Sequence, residues 1–84
     1  MANRTVYVKD IEALIERIVK AGYSYRQLAQ RAKTNPTTIT LMLKGERNPS
    51  PELAVNICNA LECQFDDIFF IENVYKSKQK YNQT

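Results

Sequence analysis

The sequence predicts an all-α fold: a compact five-helix bundle around one core, preceded by a short arm with weak strand character. Three observations carry that reading. Apolar residues recur at helical spacing in successive segments. Each segment opens on a residue able to cap a helix: Asp10, Ser24, Asn35, Ser50, and then Asp66 or Asp67. Two glycines, Gly22 and Gly45, stand just past the first and third segments, where helices end in a left-handed residue. With 84 residues and 44% apolar content, the chain has room for one core and no second one.

In order along the chain, residues 1–9 form the arm, in which Val6 and Val8 alternate with Tyr7 and Lys9. The first helix runs from Asp10 as N-cap to Ala21. Its Ile11, Leu14, Ile15, Ile18 and Val19 fall at i, i+3, i+4, i+7 and i+8, a core stripe. The second covers Tyr25 to Ala32, with Ser24 and Gln27 in capping-box spacing. Only Lys33 and Thr34 separate it from the third, which starts at Asn35 with Pro36 at its first position, where a missing N–H costs nothing. Residues 46–49 form a loop. Ser50 then caps the fourth helix, with Pro51 first and Glu52 facing the positive end of the helix dipole. Leu53, Ile57, Ala60 and Leu61 make its stripe. A short fifth helix follows Asp66 or Asp67 and contributes Ile68 and Phe69 to the core, with Ile71 open either to the core or to an interface. The folded domain is therefore expected over residues 10–71. Residues 72–84 are expected to form a polar tail, disordered from Lys76 onward.

Several function classes are set aside by composition. No apolar run approaches the roughly 18 residues of a membrane span, and no signal-peptide pattern is visible, so a cytoplasmic protein away from membranes is expected. The chain has no His, and Cys58 and Cys63 fit neither a redox C-x-x-C nor a zinc spacing. They read as packing or surface thiols, and no metal or cofactor is expected. Without His there is no Ser-His or Cys-His pair, and the isolated glycines make no phosphate loop. Asp66 and Asp67 are adjacent, and adjacent helix residues do not face each other, so a capping role is read there instead of catalysis. No enzyme is expected.

Charge and motif coincide. The net charge is +3, yet residues 17–47 carry seven cationic side chains against Glu46 alone, a net +6. Residues 48–75 carry five acids and no base. The basic block overlaps two short helices joined by a two-residue turn, which is helix-turn-helix geometry. On the outer face of the third helix stand Thr37, Thr38, Thr40, Leu41 and Lys44, with no acid among them. Such a surface suits a DNA groove, and the basic block is the electrostatic footprint of phosphate binding.

Over residues 22–69 the chain resembles the phage repressor and Cro type of helix-turn-helix protein (lambda repressor-like), a large family of bacterial and phage transcription regulators. The resemblance rests on Leu28-Ala29, Ile39, Gly45, Asn48-Pro49, the Leu53, Ile57 and Ala60-Leu61 helix, and Phe65-Asp66-Asp67-Ile68-Phe69. There are departures: Lys33 stands at a turn position usually held by Gly, Tyr25 where Gln is frequent, and Leu43 where Glu is frequent. The resemblance implies that the third helix, about residues 36–44, lies in the major groove. Base contacts then fall to Pro36, Thr37, Thr38, Thr40 and Leu41. Phosphate contacts fall to Tyr25, Asn35, Lys44, Arg47 and Asn48. The function implied is a sequence-specific regulator binding double-stranded DNA, a small repressor of a phage or mobile element. An antitoxin-like or other protein-interaction module on the same fold is the alternative. The aromatic run Phe65, Phe69, Phe70 and Tyr75 offers a surface for a protein partner. A homodimer is expected through the segment from Phe69 to Tyr75, with Phe70, Ile71 and Val74 at the interface and residues 5–9 assisting.

Overall fold

The computed structural model describes residues 4–73, the last of them by its backbone alone. Elements follow in the order β1 (Arg4–Val8), α1 (Ile11–Lys20), α2 (Tyr25–Arg31), α3 (Pro36–Leu43), α4 (Pro51–Leu61), α5 (Phe65–Ile68) and β2 (Phe69–Asn73). Each of α1 to α4 begins where a side-chain oxygen accepts an otherwise orphaned backbone N–H. Asp10 Oδ1 accepts from Ala13 N at 3.2 Å, Asn35 Oδ1 from Thr38 N at 2.8 Å, and Ser50 Oγ from Leu53 N at 3.1 Å. At α2 the capping box is complete: Ser24 Oγ accepts from Gln27 N at 3.1 Å and Gln27 Oε1 from Ser24 N at 2.9 Å.

The same four helices end alike. A residue of positive φ reverses the chain, its own N–H donates three residues back, and the next N–H donates five residues back, the Schellman arrangement. Gly22 (φ 83) and Gly45 (φ 79) do this without a Cβ penalty. Lys33 (φ 61) and Glu62 (φ 57) do it with a side chain in place. The closing bonds are Tyr23 N to Ile18 O (3.2 Å), Thr34 N to Ala29 O (2.9 Å), Glu46 N to Leu41 O (2.9 Å) and Cys63 N to Cys58 O (3.1 Å).

Leu14, Ile18, Leu28, Ile39, Ala54, Ile57 and Phe69 are wholly buried, so every helix from α1 to α4 contributes to one core. Asn56 Nδ2 donates to Ala32 O at 3.1 Å, tying α4 to the end of α2. On α1, Leu14 and Ile18 carry the stripe, whereas Val19 is 65% exposed and lies outside it. On α4 the core also takes Ala54 and Cys58, while Ala60 is only partly covered.

Five helices form as the sequence predicts, but the fold is not purely helical. β1 and β2 pair antiparallel, with Arg4 opposite Asn73, Val6 opposite Ile71 and Val8 opposite Phe69. The expected continuation of the fifth helix through Phe69 and Ile71 is therefore corrected: α5 stops at Ile68 and the chain runs on extended. Its first residue is Phe65, with Gln64 at the N-cap, so neither Asp66 nor Asp67 opens it. Asp67 instead reaches back and accepts from Gln64 N at 3.0 Å. The physical reason for the strand is the arm. Val6 is buried under the ribbon, Lys9 N donates to Ile68 O at 2.9 Å, and the apolar run Phe69-Phe70-Ile71 completes a ladder with it. Glu72 and Asn73, expected in the tail, belong to β2. Val74, Tyr75 and the rest of the tail lie outside the described residues, as do residues 1–3.

A left-handed non-glycine residue is strained, so Glu62→Gly is expected to raise unfolding free energy by up to about 1 kcal/mol. Urea titration of the variant against the parent chain checks this; an unchanged or lowered midpoint contradicts it.

Candidate nucleic-acid interface

The turn between α2 and α3 determines how α3 is presented. Ala29 and Ala32, both 1% exposed, let the two helices approach closely. Ile39, Met42 and Leu43 point from α3 into the core. At about 100° per residue the opposite face then carries Thr37, Thr40, Leu41 and Lys44, at i, i+3, i+4 and i+7, with Pro36 at its leading edge. Pro36, Thr37 and Lys44 are exposed, and Thr40 and Leu41 are half-buried. No acid lies on that face.

Thr38 is set apart from these. It lines a cleft of about 530 Å³ together with the α2–α3 turn, the loop after α3 and the start of α4. Among the phosphate-contact candidates, Arg47 and Asn48 are exposed and line the same cleft. Tyr25 is the first residue of α2 and is 36% exposed. Lys44 caps the C-terminus of α3. Asn35 is exposed, but its Oδ1 is engaged as the α3 cap, which leaves its amide N–H groups as the donors it can offer.

Two cations beside this surface were not singled out from the sequence. Lys33 and Arg4 both line the cleft with Arg47, and among the described residues Glu52 is the acid that lines it with them. Lys33 is legible as part of the basic block. Arg4 is not, because only the pairing of β1 with β2 and its packing on α4 bring it there. Conversely, Arg31 of the basic block stacks its guanidinium over the Tyr23 ring, 5.5 Å from its centroid, a packing role.

The expected interface segment is partly core. Phe69 is wholly buried, whereas Phe70 (40% exposed) and Ile71 (55% exposed) are open, and Tyr7 stacks on Phe70 with ring centroids 5.3 Å apart. Val74 lies outside the described residues. Among the described residues, no group of His, Cys, Asp and Glu could hold a metal ion, and no helix is long and apolar enough to cross a membrane.

The cap at α3 yields a direct test. Asn35→Ala is expected to cost about 1 kcal/mol of stability, and Asn35→Asp, which keeps an accepting oxygen, close to none. Paired thermal melts of the two variants check it; equal losses in both would show that the cap is not what Asn35 contributes.

Comparison with known proteins agrees with this geometry. A family model described as helix-turn-helix matches residues 14–68. The uncharacterized HTH-type transcriptional regulator YvzC of Bacillus subtilis (strain 168) is 29% identical over 65 residues, covering 77% of this chain and 84% of that protein. The uncharacterized HTH-type transcriptional regulator YgzD of the same organism is 33% identical over 51 residues, covering 61% of this chain and 77% of that protein. No solved structure matches the chain with significance. From a turn that presents α3, a core behind it and a family match across both, the chain belongs to the Cro/C1-type helix-turn-helix family, a family of DNA-binding regulators and not of enzymes.

Proposed function

We propose that this protein is a sequence-specific transcription regulator, a small repressor of phage or mobile-element type in the cytoplasm, that reads double-stranded DNA with α3 in the major groove. The observation that carries this is the acid-free face of Pro36, Thr37, Thr40, Leu41 and Lys44, held outward by Ile39 and Met42 behind it. The relatives' printed description as HTH-type transcriptional regulators supports the same reading.

Mechanistically, Pro36 and Leu41 offer only apolar contact, which a thymine methyl satisfies, and threonine hydroxyls discriminate weakly between bases. With no Arg or Gln on the exposed face of α3, direct readout is modest, and the shape and deformability of an A·T-rich site carry a share of specificity. Tyr25, Asn35, Lys44, Arg47 and Asn48 hold phosphates and set the register. Thr38 contacts DNA from the edge of the cleft. An α3 of eight residues spans only about 12 Å, so a second half-site is needed, and a two-fold dimer supplies it. Phe70 and Ile71 on β2, with Val74 beyond it, form the dimer contact. Their exposure also favours a second reading, an antitoxin-like module whose exposed apolar strand receives a different protein.

Binding to duplex DNA is expected to weaken steeply with salt, and Lys44→Ala or Arg47→Ala each to lower the log–log slope by about 1 while weakening all sequences alike. Thr37→Ala and Leu41→Ala are expected instead to shift sequence preference, by about 1–3 kcal/mol per lost base contact. Selection from a random duplex pool, followed by salt titration of the winners, measures both. Binding indifferent to salt, or preferences unchanged in both variants, would sink the reading.

For assembly, Phe70→Lys combined with Ile71→Lys is expected to give a helical monomer that no longer holds an operator. Sedimentation with and without DNA decides it. A parent chain that stays monomeric in both states removes the dimer and leaves the apolar strand to a different protein partner.

A further inference from the structure

We propose that Cys58 and Cys63 form a dithiol site that a hydroperoxide closes into an intramolecular disulfide. The two thiols are brought together by the way α4 ends. Glu62 takes the left-handed conformation, and the chain folds back so that Cys63 N donates to Cys58 O at 3.1 Å and Glu62 N to Asn59 O at 3.3 Å. In this reversal, the side chains of the two residues joined by the longer bond frequently pack against each other. Here both are cysteines, and they are the chain's only two. A disulfide needs Cα atoms about 4.4–6.8 Å apart, and the 3.1 Å bond from Cys63 N to Cys58 O holds the two residues' backbones at close range.

Their environments differ in the way a two-step closure requires. Cys58 is buried at 5% exposure in the core, while Cys63 is half-buried at the helix end and packs against that core. Burial first, and then the neighbouring Cys63 thiol, push the Cys58 thiol up to about 12, so it stays protonated and shielded. Cys63 therefore meets the oxidant. Its thiolate sulfur attacks a peroxide oxygen, the O–O bond breaks, and Cys63 becomes a sulfenic acid while the departing oxygen takes a proton to leave as water or alcohol. The Cys58 sulfur then attacks the Cys63 sulfur. An S–S bond forms, the S–O bond breaks, and the hydroxide leaves as water with the Cys58 proton. Two thiols give up two electrons, and the peroxide accepts them. The new bond ties the last turn of α4 to the corner that leads into α5, and it is independent of whether α3 reads DNA.

The test uses the full chain and hydrogen peroxide, followed by denaturation, maleimide labelling and intact-mass measurement. Both thiols are expected to disappear together, with a loss of two hydrogens in mass, no cross-linked species on a non-reducing gel, and full recovery with dithiothreitol. Cys58→Ala should trap as a dimedone adduct at Cys63, and Cys63→Ser should keep its Cys58 unmodified under the same treatment. Retention of both thiols in the parent chain overturns the proposal. So does accumulation of sulfinic acid at Cys63, cross-linking between copies, or loss of Cys58 in Cys63→Ser at the parent rate.

Discussion

Lys33 and Thr34 lie between Ala32, the C-cap of α2, and Asn35, the N-cap of α3, and the reversal they make governs how α3 is offered to solvent. Lys33 adopts φ 61, which costs a non-glycine residue roughly 1–2 kcal/mol. The cost is offset locally, since Lys33 N donates to Gln30 O at 3.2 Å and Thr34 N to Ala29 O at 2.9 Å, satisfying carbonyls that a frayed helix end would leave open. The Asn35 cap then starts α3 at once. Because Ala29 and Ala32 present no bulk, Ile39 and Met42 seat against the core and α3 cannot rotate about its axis. The outward face of α3 is thus a consequence of what is packed behind it.

Charge follows the same division. The cationic residues gather from the end of α1 to the loop after α3, and the acids gather from Glu52 to Glu72. A polyanion is drawn toward such a local concentration of positive charge before any contact forms. The cleft beside α3 strengthens this, since Arg4, Lys33 and Arg47 converge on it from three separate parts of the chain.

The ribbon of β1 and β2 does two things at once. Its inner face closes the core, with Val6 and Phe69 buried. Further along β2, Phe70 and Ile71 remain open on a sheet that, among the described residues, has two strands and no third to cover its edges. Such an edge and apolar surface are prone to pair with another chain, which is why the proposed dimer contact falls there.

The sequence by itself determined α1 to α4 and the face that α3 turns away from the core. Asp10, Ser24, Asn35 and Ser50 cap where their side chains predict, Gly22 and Gly45 reverse the chain, and the stripe opposite Ile39 and Met42 is legible from spacing alone. These signals act within one helical turn, so a local pattern contains them completely. The tertiary structure alone decided that Phe69 leaves α5 for a strand, that Arg4 reaches the cleft, that Thr38 turns toward α4, and that Glu62 bends the chain to set Cys63 beside Cys58. Phe69 and Arg4 owe their places to a pairing partner at the other end of the chain, and Thr38 to a neighbouring helix. At Glu62 the left-handed turn brings Cys63 and Phe65 to pack against the core. No window of a few residues contains those contacts.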